Sequence, residues 1–267
     1  MEEAAEGGGR PQRLSDDDVV RFLEELHVWV AAQMGGLRAQ EGWMVSPGSP
    51  LAGDDRATAP HQTSHTAHGA LGVALDHLHA LTFMVAEHKT LHLNATYTLA
   101  RGAIENAAIT YWLVAPPTRR ERVLRTLRLH AMDVRDATNA TDDLGATALV
   151  TLDERMEQLR ALAAAAGIDS TSPNWPKRVT SVEMVKALDE GLNIGIKPGP
   201  LGAWRLFSGM AHGRPWASAA FMNREVTPVD GLVSKVRRAN TPDRVLFAAS
   251  IAQDVITLAM NKYEERA

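Results

Sequence analysis

The chain has 267 residues, of which 28 are Lys or Arg and 32 are Asp or Glu, so its formal net charge is -4. Residues 1–18 hold six acids and two bases, which account for the whole net charge and leave the other residues formally neutral. A neutral body excludes a generally basic coat for nucleic acid and a broad membrane-binding patch. The absence of cysteine excludes disulfides, thiolate nucleophiles and cysteine-based zinc sites.

The N-terminal segment, residues 1–14, is acidic and rich in glycine, and this composition predicts a disordered tail. It lacks the basic start and the apolar stretch of a secretory signal. The apolar segment at 245–260 is too short to span a bilayer. Together these features predict a cytoplasmic protein that makes no contact with a membrane.

The first half of the chain after this tail predicts helices separated by loops of glycine and proline. Ser15 is a helix cap, and apolar residues repeat at helical spacing until Gly35-Gly36, which we expect to end the first helix. Residues 42–62 contain three glycines and three prolines and predict a long surface loop. Further helices are predicted at about 64–86, 90–114, 117–144 and 152–166.

The second half predicts shorter helices and one irregular region. Thr180 and Glu183 match a capping box, so a short helix is expected to begin there and to end before Gly191. The pattern then predicts a loop at 195–202, a short helix at 201–212, irregular structure at 213–240 and a last helix from about 241 to 263.

The sequence therefore predicts an all-α fold, an antiparallel helical bundle with additional short helices. We expect a single domain over residues 15–267, with 42–62 and 213–240 as its long loops. No window alternates with the period of two that is typical of strands, and no linker divides the helical pattern.

A late helix carries the most suggestive polar residues. Arg205, Ser208 and His212 stand at i, i+3 and i+7, which places them on one face of a continuous helix. A permanent cation, a hydroxyl and a group that titrates near neutrality suit the chemistry of a phosphate. The alternative is structural: Arg205 pairs with a carboxylate of its helix, Ser208 bonds back to the backbone, and His212 caps the helix end near Gly213.

This Arg-x6-His pair on a late helix of an all-helical chain resembles the catalytic motif of the HEPN superfamily. In that superfamily the motif belongs to metal-independent ribonucleases and acts where two copies meet. The resemblance implies that Arg205 stabilises a pentavalent phosphorane, that His212 assists attack of a 2′-hydroxyl and that Ser208 is an auxiliary donor. It also implies an RNA substrate, a homodimer, and neither a metal nor another cofactor. A HEPN-like core is the corresponding expectation for the fold.

A larger part of the chain is similar to a set of uncharacterised bacterial helical proteins. This similarity covers most of residues 70–260 and implies no activity. The segments that carry it are Asp76–Leu78, Leu99–Ala107, Arg119–Arg125 and Trp204–Gly213.

A polar ridge runs along the third predicted helix, where Tyr97, Arg101 and Glu105 repeat at i, i+4 and i+8. Arg101 and Glu105 have the spacing of an intrahelical ion pair. If the Arg101–Glu105 ion pair faces Arg205 and His212, it orients their side chains. Alternatively it forms an interhelical salt bridge that fixes the register of two helices.

Basic residues open the fourth predicted helix, and they leave two interpretations. Basic charge at a helix N-terminus opposes the helix dipole, which favours a phosphate-binding role. A solvated helix with intrahelical ion pairs is the alternative. The candidate phosphate-binding residues are Arg119, Arg122 and Arg125, accompanied by Arg120 and Arg128.

Histidines cluster at the end of the predicted loop. His61, His65 and His68 stand at i, i+4 and i+7, and similar DinB-like bundles hold a metal with three histidines. Their polar surroundings favour solvated histidines, so no metal site is predicted. The sequence also lacks a Walker A loop, a dinucleotide glycine pattern and a DNA-binding motif.

Three functional hypotheses remain open at this point. The first is a HEPN-like, metal-independent ribonuclease or a degenerate relative of one. The second is a non-enzymatic helical protein that binds a ligand or a partner, with the same polar residues serving structure. The third is a metal-binding bundle with histidine ligands.

Overall fold

The structure, a computed structural model, describes residues 14–39, 43–172, 175–192, 198–231 and 233–267. The predicted disordered tail lies outside the described residues except for Leu14. Within the described part, the chain forms α1 (Asp16–Ala39), α2 (Pro50–Thr58), α3 (Thr63–Ala86), α4 (Ala95–Val114), α5 (Arg119–Asp143), α6 (Leu152–Ala165), α7 (Ser181–Leu192), α8 (Pro200–Ala211), α9 (Pro215–Phe221), β1 (Asn223–Asp230), β2 (Val233–Ala239) and α10 (Pro242–Arg266). The all-α class is confirmed, with one small two-stranded sheet.

The centre of the fold is the contact of α4 with α3 and α10. Small residues on α4, among them Ala100, Ala103 and Ala107, are fully buried there. The helices approach so closely that the Thr110 hydroxyl donates to the backbone carbonyl of Ala67 at 2.8 Å. α1 packs on α3 and α10, whereas α7 and α8 pack on α4. A second, smaller cluster of buried residues lies between α5 and α6.

By length and composition alone, α3 would also suit a membrane span. The core helix of a globular protein has the same length and composition. In this structure α3 packs against α1, α4 and α10, and its inward residues Leu71, Leu75 and Leu78 are fully buried.

The prediction of a long loop at 42–62 is wrong, because α2 forms inside it. The Ser49 hydroxyl accepts a hydrogen bond from the Ala52 N–H at 3.1 Å, and Pro50 occupies the first turn. A capping serine followed by proline is therefore a helix start here and not a turn. Leu51 and Asp54, on the inner side of this helix, are fully buried.

The predicted end of the first helix is also wrong, because α1 continues through Gly35 and Gly36 to Ala39. Each glycine costs about 1 kcal/mol relative to alanine in a helix. Burial of Leu37 beyond them, against Gly72 of α3, offsets this cost. In contrast, α4 begins later than predicted, at Ala95.

The region at 213–240 is not irregular, since it holds α9 and an antiparallel hairpin of β1 and β2. Every residue of β1 is exposed, so the strand has no buried face and needs no alternation of apolar and polar residues. This explains why the sequence shows no period of two. The hairpin base is held by Arg244, whose Nη2 donates to Asn223 Oδ1 at 2.8 Å.

A buried ion pair joins α2 to α5. Arg122 donates from Nε and Nη2 to the two carboxylate oxygens of Asp54 at 2.5 and 3.0 Å, and both side chains are almost fully buried. Its Nη1 donates to the carbonyl oxygen of Pro116 at 2.9 Å, where the chain turns from α4 into α5. Arg119 approaches Asp54 only at 3.8 Å and remains 59% exposed.

We predict that Asp54→Ala lowers the free energy of unfolding by about 3–5 kcal/mol, because it leaves the Arg122 charge buried without a partner. Arg119→Ala should cost less than about 1 kcal/mol, since this arginine is exposed. Urea unfolding followed by circular dichroism measures both. Equal losses in the two variants would contradict the assignment of Arg122 as the main partner.

Candidate functional site

α8 carries the Arg–His pair, and its C-terminal end is tightly defined. His212 is the C-cap residue, and Gly213 follows with a φ of +62°. The N–H of Gly213 donates to Met210 at 3.1 Å and that of Arg214 to Gly209 at 2.8 Å. These two bonds form a Schellman motif, in which the left-handed position favours glycine. His212 thus stands just past the last helical residue, and not inside a continuous helix.

Close packing of α9 holds α8 on another side. A Cβ atom built on Gly209 would lie 2.6 Å from the Trp216 ring and 2.7 Å from the Ala217 Cβ. Only glycine fits at this crossing, so Gly209 permits the contact and does not kink α8. Ala217 is fully buried by it, while Trp216 remains 55% exposed.

A closed ring of polar contacts ties α8 to α4. Arg101 donates from Nε to the Ser208 hydroxyl at 3.0 Å and from Nη2 to Glu105 Oε1 at 2.8 Å. The Trp204 indole N–H donates to the same Glu105 oxygen at 2.9 Å. Ser208 completes the ring by donating to the Trp204 carbonyl at 2.8 Å. We call these four residues the polar ring.

The polar ring matches parts of both sequence interpretations. Arg101 and Glu105 form the expected i,i+4 ion pair, with side chains 27% and 20% exposed. Ser208 bonds back to the backbone of its own helix, as the structural alternative expects. The hydrogen bonds that cross between the helices come from Arg101 to Ser208 and from Trp204 to Glu105, so the ring fixes the register of α4 and α8.

Arg205 and His212 lie outside the polar ring. Both residues are exposed, and neither side chain makes a hydrogen bond or an ion pair with any residue that the structure describes. The carboxylate partner that the structural alternative expects for Arg205 is therefore not found in that part of the chain. The bonds of Arg101 and Glu105 reach Ser208 and Trp204 and do not touch the Arg–His pair directly.

Tyr97, the first member of the predicted polar ridge, serves a different contact. Its hydroxyl donates to Asn240 Oδ1 at 2.6 Å, and Asn240 in turn donates to the His92 carbonyl at 2.8 Å. Burial raises the pKa of Tyr97 well above its usual value, so the phenol stays protonated. Tyr97 therefore joins the start of α4 to the segment between the hairpin and α10.

The arginines at the start of α5, from Arg119 to Arg128, have protein partners, unlike Arg205. Arg122 is buried against Asp54, so it is not exposed to a phosphate in solution. Arg125 bonds to Glu121 and to the Trp112 carbonyl. Of the three predicted phosphate-binding residues, only Arg119 remains mostly exposed. Arg128 makes two bonds to Glu183, and Arg120 donates to Gly167.

The predicted histidine triplet separates in the structure. The ring of His61 lies 4.6 Å from that of His130 on α5, whereas His65 and His68 line a cavity near Trp43. Among the described residues no three potential ligands lie close enough to hold a metal ion. Burial, with a smaller effect from His61, lowers the pKa of His130 to about 4.

This depressed pKa predicts a loss of stability in mild acid. The unfolded chain takes up a proton on His130 near its usual pKa of 6.5, whereas the folded chain does so only near 4. The free energy of unfolding should therefore fall as pH falls from 6.5 to 4. His130→Gln should reduce this fall in urea titrations at a series of pH values. The same pH dependence in the variant and the original protein would disprove this role.

The structure also brings together two exposed arginines that the sequence analysis does not single out. The hairpin places Arg224 directly opposite Arg238 across its two strands, whereas Lys235 and Arg237 of β2 lie on the other face of the hairpin, where Glu225 is directly opposite Arg237. Like charges at opposed positions destabilise a strand pair. The feature of the sequence that could have indicated these residues is the excess of basic over acidic residues at 213–240, a segment for which irregular structure is predicted.

Comparison of the chain with protein-family models, curated proteins and solved structures found no match. A function is therefore inferred from the geometry of α8 and the residues around it.

Substitutions in the polar ring and at the exposed Arg–His pair should change the free energy of unfolding by different amounts. Ser208→Ala removes the acceptor of Arg101 Nε and should lower the free energy of unfolding by about 1 kcal/mol, since water can reach this half-buried group. Arg205→Ala, on the same helix, should change it by less than about 0.5 kcal/mol. Chemical denaturation measures both changes. A larger loss for Arg205→Ala would show that this arginine is structural.

Proposed function

We propose that this protein is a HEPN-like, metal-independent ribonuclease that acts as a homodimer, with Arg205 and His212 as its catalytic residues. The observation that carries the proposal is the contrast on α8. Its inward polar residues bond to α4, whereas Arg205 and His212 are exposed and make no bond to the described residues. An arginine and a histidine without structural partners are available to a substrate.

The chemistry of the pair suits cleavage of RNA through its own 2′-hydroxyl. His212 accepts the proton of the 2′-hydroxyl as this oxygen bonds to the adjacent phosphorus. The P–O5′ bond then breaks, and the protonated His212 returns the proton to the 5′ oxygen. The Arg205 guanidinium stabilises the negative charge that builds on the phosphorane oxygens. The products are a 2′,3′-cyclic phosphate and a 5′-hydroxyl, and no redox step or cofactor is needed.

The packing of α8 supports this role because catalysis needs fixed positions. The polar ring sets the rotation of α8 against α4, and the contact at Gly209 sets its distance from α9. The backbone that carries Arg205 and His212 is thereby held from two sides. Rigid elements place reacting groups more accurately than loops do. Ser208 then acts as an anchor of the helix and not as a donor to the phosphate.

The hairpin supports binding of an RNA backbone near α8. α9 has seven residues and separates the end of α8 from β1, which is a distance of about 10 Å along the helix axis. The opposed Arg224 and Arg238 would gain from a phosphate placed between them. They supply a local pair of cations on a chain whose formal net charge is -4.

An exposed aromatic residue supports the expected dimer. Trp216 packs one edge of its ring over Gly209 of α8 and leaves 55% of its surface exposed. Exposed aromatic residues are enriched in protein interfaces. A dimer formed here would bring two copies of α8 together, as the HEPN motif requires.

We expect the purified protein to cleave RNA in the presence of a metal chelator. Arg205→Ala and His212→Ala should each lower the cleavage rate by at least about 100-fold without a change in melting temperature. Arg56→Ala and His92→Ala are matched controls, since both residues are exposed and lie outside α8. Cleavage of a labelled RNA and thermal melting measure the two effects.

Two outcomes would reject this proposal. One is the absence of cleavage by the original protein at any RNA sequence or length. The other is equal cleavage by the α8 variants and the controls. If the α8 variants instead lower the melting temperature, the pair serves structure, as the non-enzymatic alternative holds. Light scattering in the same buffers tests the dimer separately.

A further inference from the structure

A cavity of about 270 Å³ lies at a place that shares no residue with α8. It is bounded by the segment before α2, by α2 itself, by the first turns of α3 and by the last turn of α10. Such a volume equals the space of about nine water molecules. Its main lining residues are Trp43, Asp55, Ser64, His65, His68 and Tyr263.

Aromatic rings form one side of this cavity. The Trp43 and Tyr263 ring centroids are 5.3 Å apart, and the His68 ring meets Trp43 edge-on at 6.3 Å. The Tyr263 hydroxyl donates to the Trp43 carbonyl at 3.3 Å, which holds the segment before α2 against α10. These contacts fix the aromatic side before any ligand arrives.

A carboxylate without a cationic partner forms the other side. Asp55 accepts hydrogen bonds from the backbone N–H and the hydroxyl of Ser64, at 2.8 and 2.7 Å. Both donors are neutral, and no lysine, arginine or histidine of the described residues forms an ion pair with Asp55. Burial, followed by the nearby Asp55 charge, raises the pKa of Tyr263 to about 12. The negative charge of Asp55 therefore acts on a group that lines the cavity.

The neighbouring histidine does not neutralise this charge at neutral pH. Burial and the proximity of His65 lower the pKa of His68, which favours its neutral form. Arg119 and Arg122 of α5 are directed to the neighbouring Asp54 instead. Arg56, which follows Asp55 in the sequence, is exposed and forms no ion pair with a described residue, and Arg266 of α10 donates to the carbonyls of Val114 and Ala115. The cavity thus combines an unpaired carboxylate with aromatic rings.

We propose that this cavity binds a small organic cation, an amine or a guanidinium compound. The cationic group would bond to Asp55, whose two oxygens each keep a second acceptor position. The apolar part of the ligand would lie against Trp43 and Tyr263, where the faces of aromatic rings attract positive charge. A metal ion fits less well, because the described residues offer no group of three ligands here.

Benzylamine is a suitable probe, with benzyl alcohol and benzoate as neutral and anionic compounds of similar shape. Calorimetry on the full chain should show saturable binding of benzylamine and none of the other two. Asp55→Asn should weaken benzylamine binding at least tenfold. Asp76→Asn removes the same charge at an exposed position of the adjacent helix, α3, and should leave benzylamine binding unchanged. Arg205→Ala should also bind benzylamine normally, which separates this result from the ribonuclease test.

A second measurement covers the case in which Asp55→Asn does not fold. In the original protein, benzylamine should shift the indole N–H resonance that disappears in Trp43→Phe. Equal binding of benzyl alcohol, full affinity in folded Asp55→Asn, or no shift of the Trp43 resonance would each overturn the proposal.

Discussion

The close approach of α4 to α3 and α10 is the constraint on which the other features depend. Alanines on the buried side of α4 allow this approach, and the hydrogen bond from Thr110 to the Ala67 carbonyl shows how near the backbones lie. Once α4 is fixed in this way, its other side has a defined position. That side carries Arg101 and Glu105, which bond to α8, and Tyr97, which bonds to Asn240 in the segment before α10. A shift of α4 along its axis would therefore break contacts to α8 and to this segment.

The polar ring has a cost and a benefit that can be separated. Half-burial of Arg101 and Glu105 removes water from two charges and so loses hydration free energy. The attraction between the two charges offsets part of this loss. An apolar contact in the same place would supply stability but would allow α8 to slide or rotate. Hydrogen bonds from Arg101 to Ser208 and from Trp204 to Glu105 have directional geometry, so they specify one arrangement. This explains why polar residues are found where α8 meets the core, whereas Arg205 and His212, which the polar ring does not use, remain exposed.

Sequence patterns predicted the long amphipathic helices well, because burial of one apolar face decides those segments. α3, α5 and α6 begin and end close to the predicted residues, and Gly167 follows α6 in a left-handed conformation. α7 begins as predicted but continues through Gly191, where its end was expected, to Leu192. The errors occur where tertiary contacts outweigh local preference. Gly35-Gly36 looked like a helix end, but burial of Leu37 extends α1. The hairpin has no buried face, so hydrophobic periodicity could not reveal it. For the candidate site, spacing identified the residues of α8 but could not show that Ser208 faces α4 while Arg205 remains exposed.

Asp54 and Asp55 show why charge counts along a sequence do not identify sites. The two carboxylates are neighbours on α2, and their side chains point to different surroundings. Asp54 is fully buried and receives two hydrogen bonds from Arg122, so its charge is neutralised within the core. Asp55 is half-buried and receives bonds only from the neutral groups of Ser64. Arg122 of α5 and Arg205 of α8 differ in the same way. Arg122 bonds to a buried carboxylate, whereas Arg205 makes no bond to a described residue. A charge that the fold leaves without a partner at an accessible position is the kind of group that can serve a ligand or a substrate, and both proposals rest on this distinction.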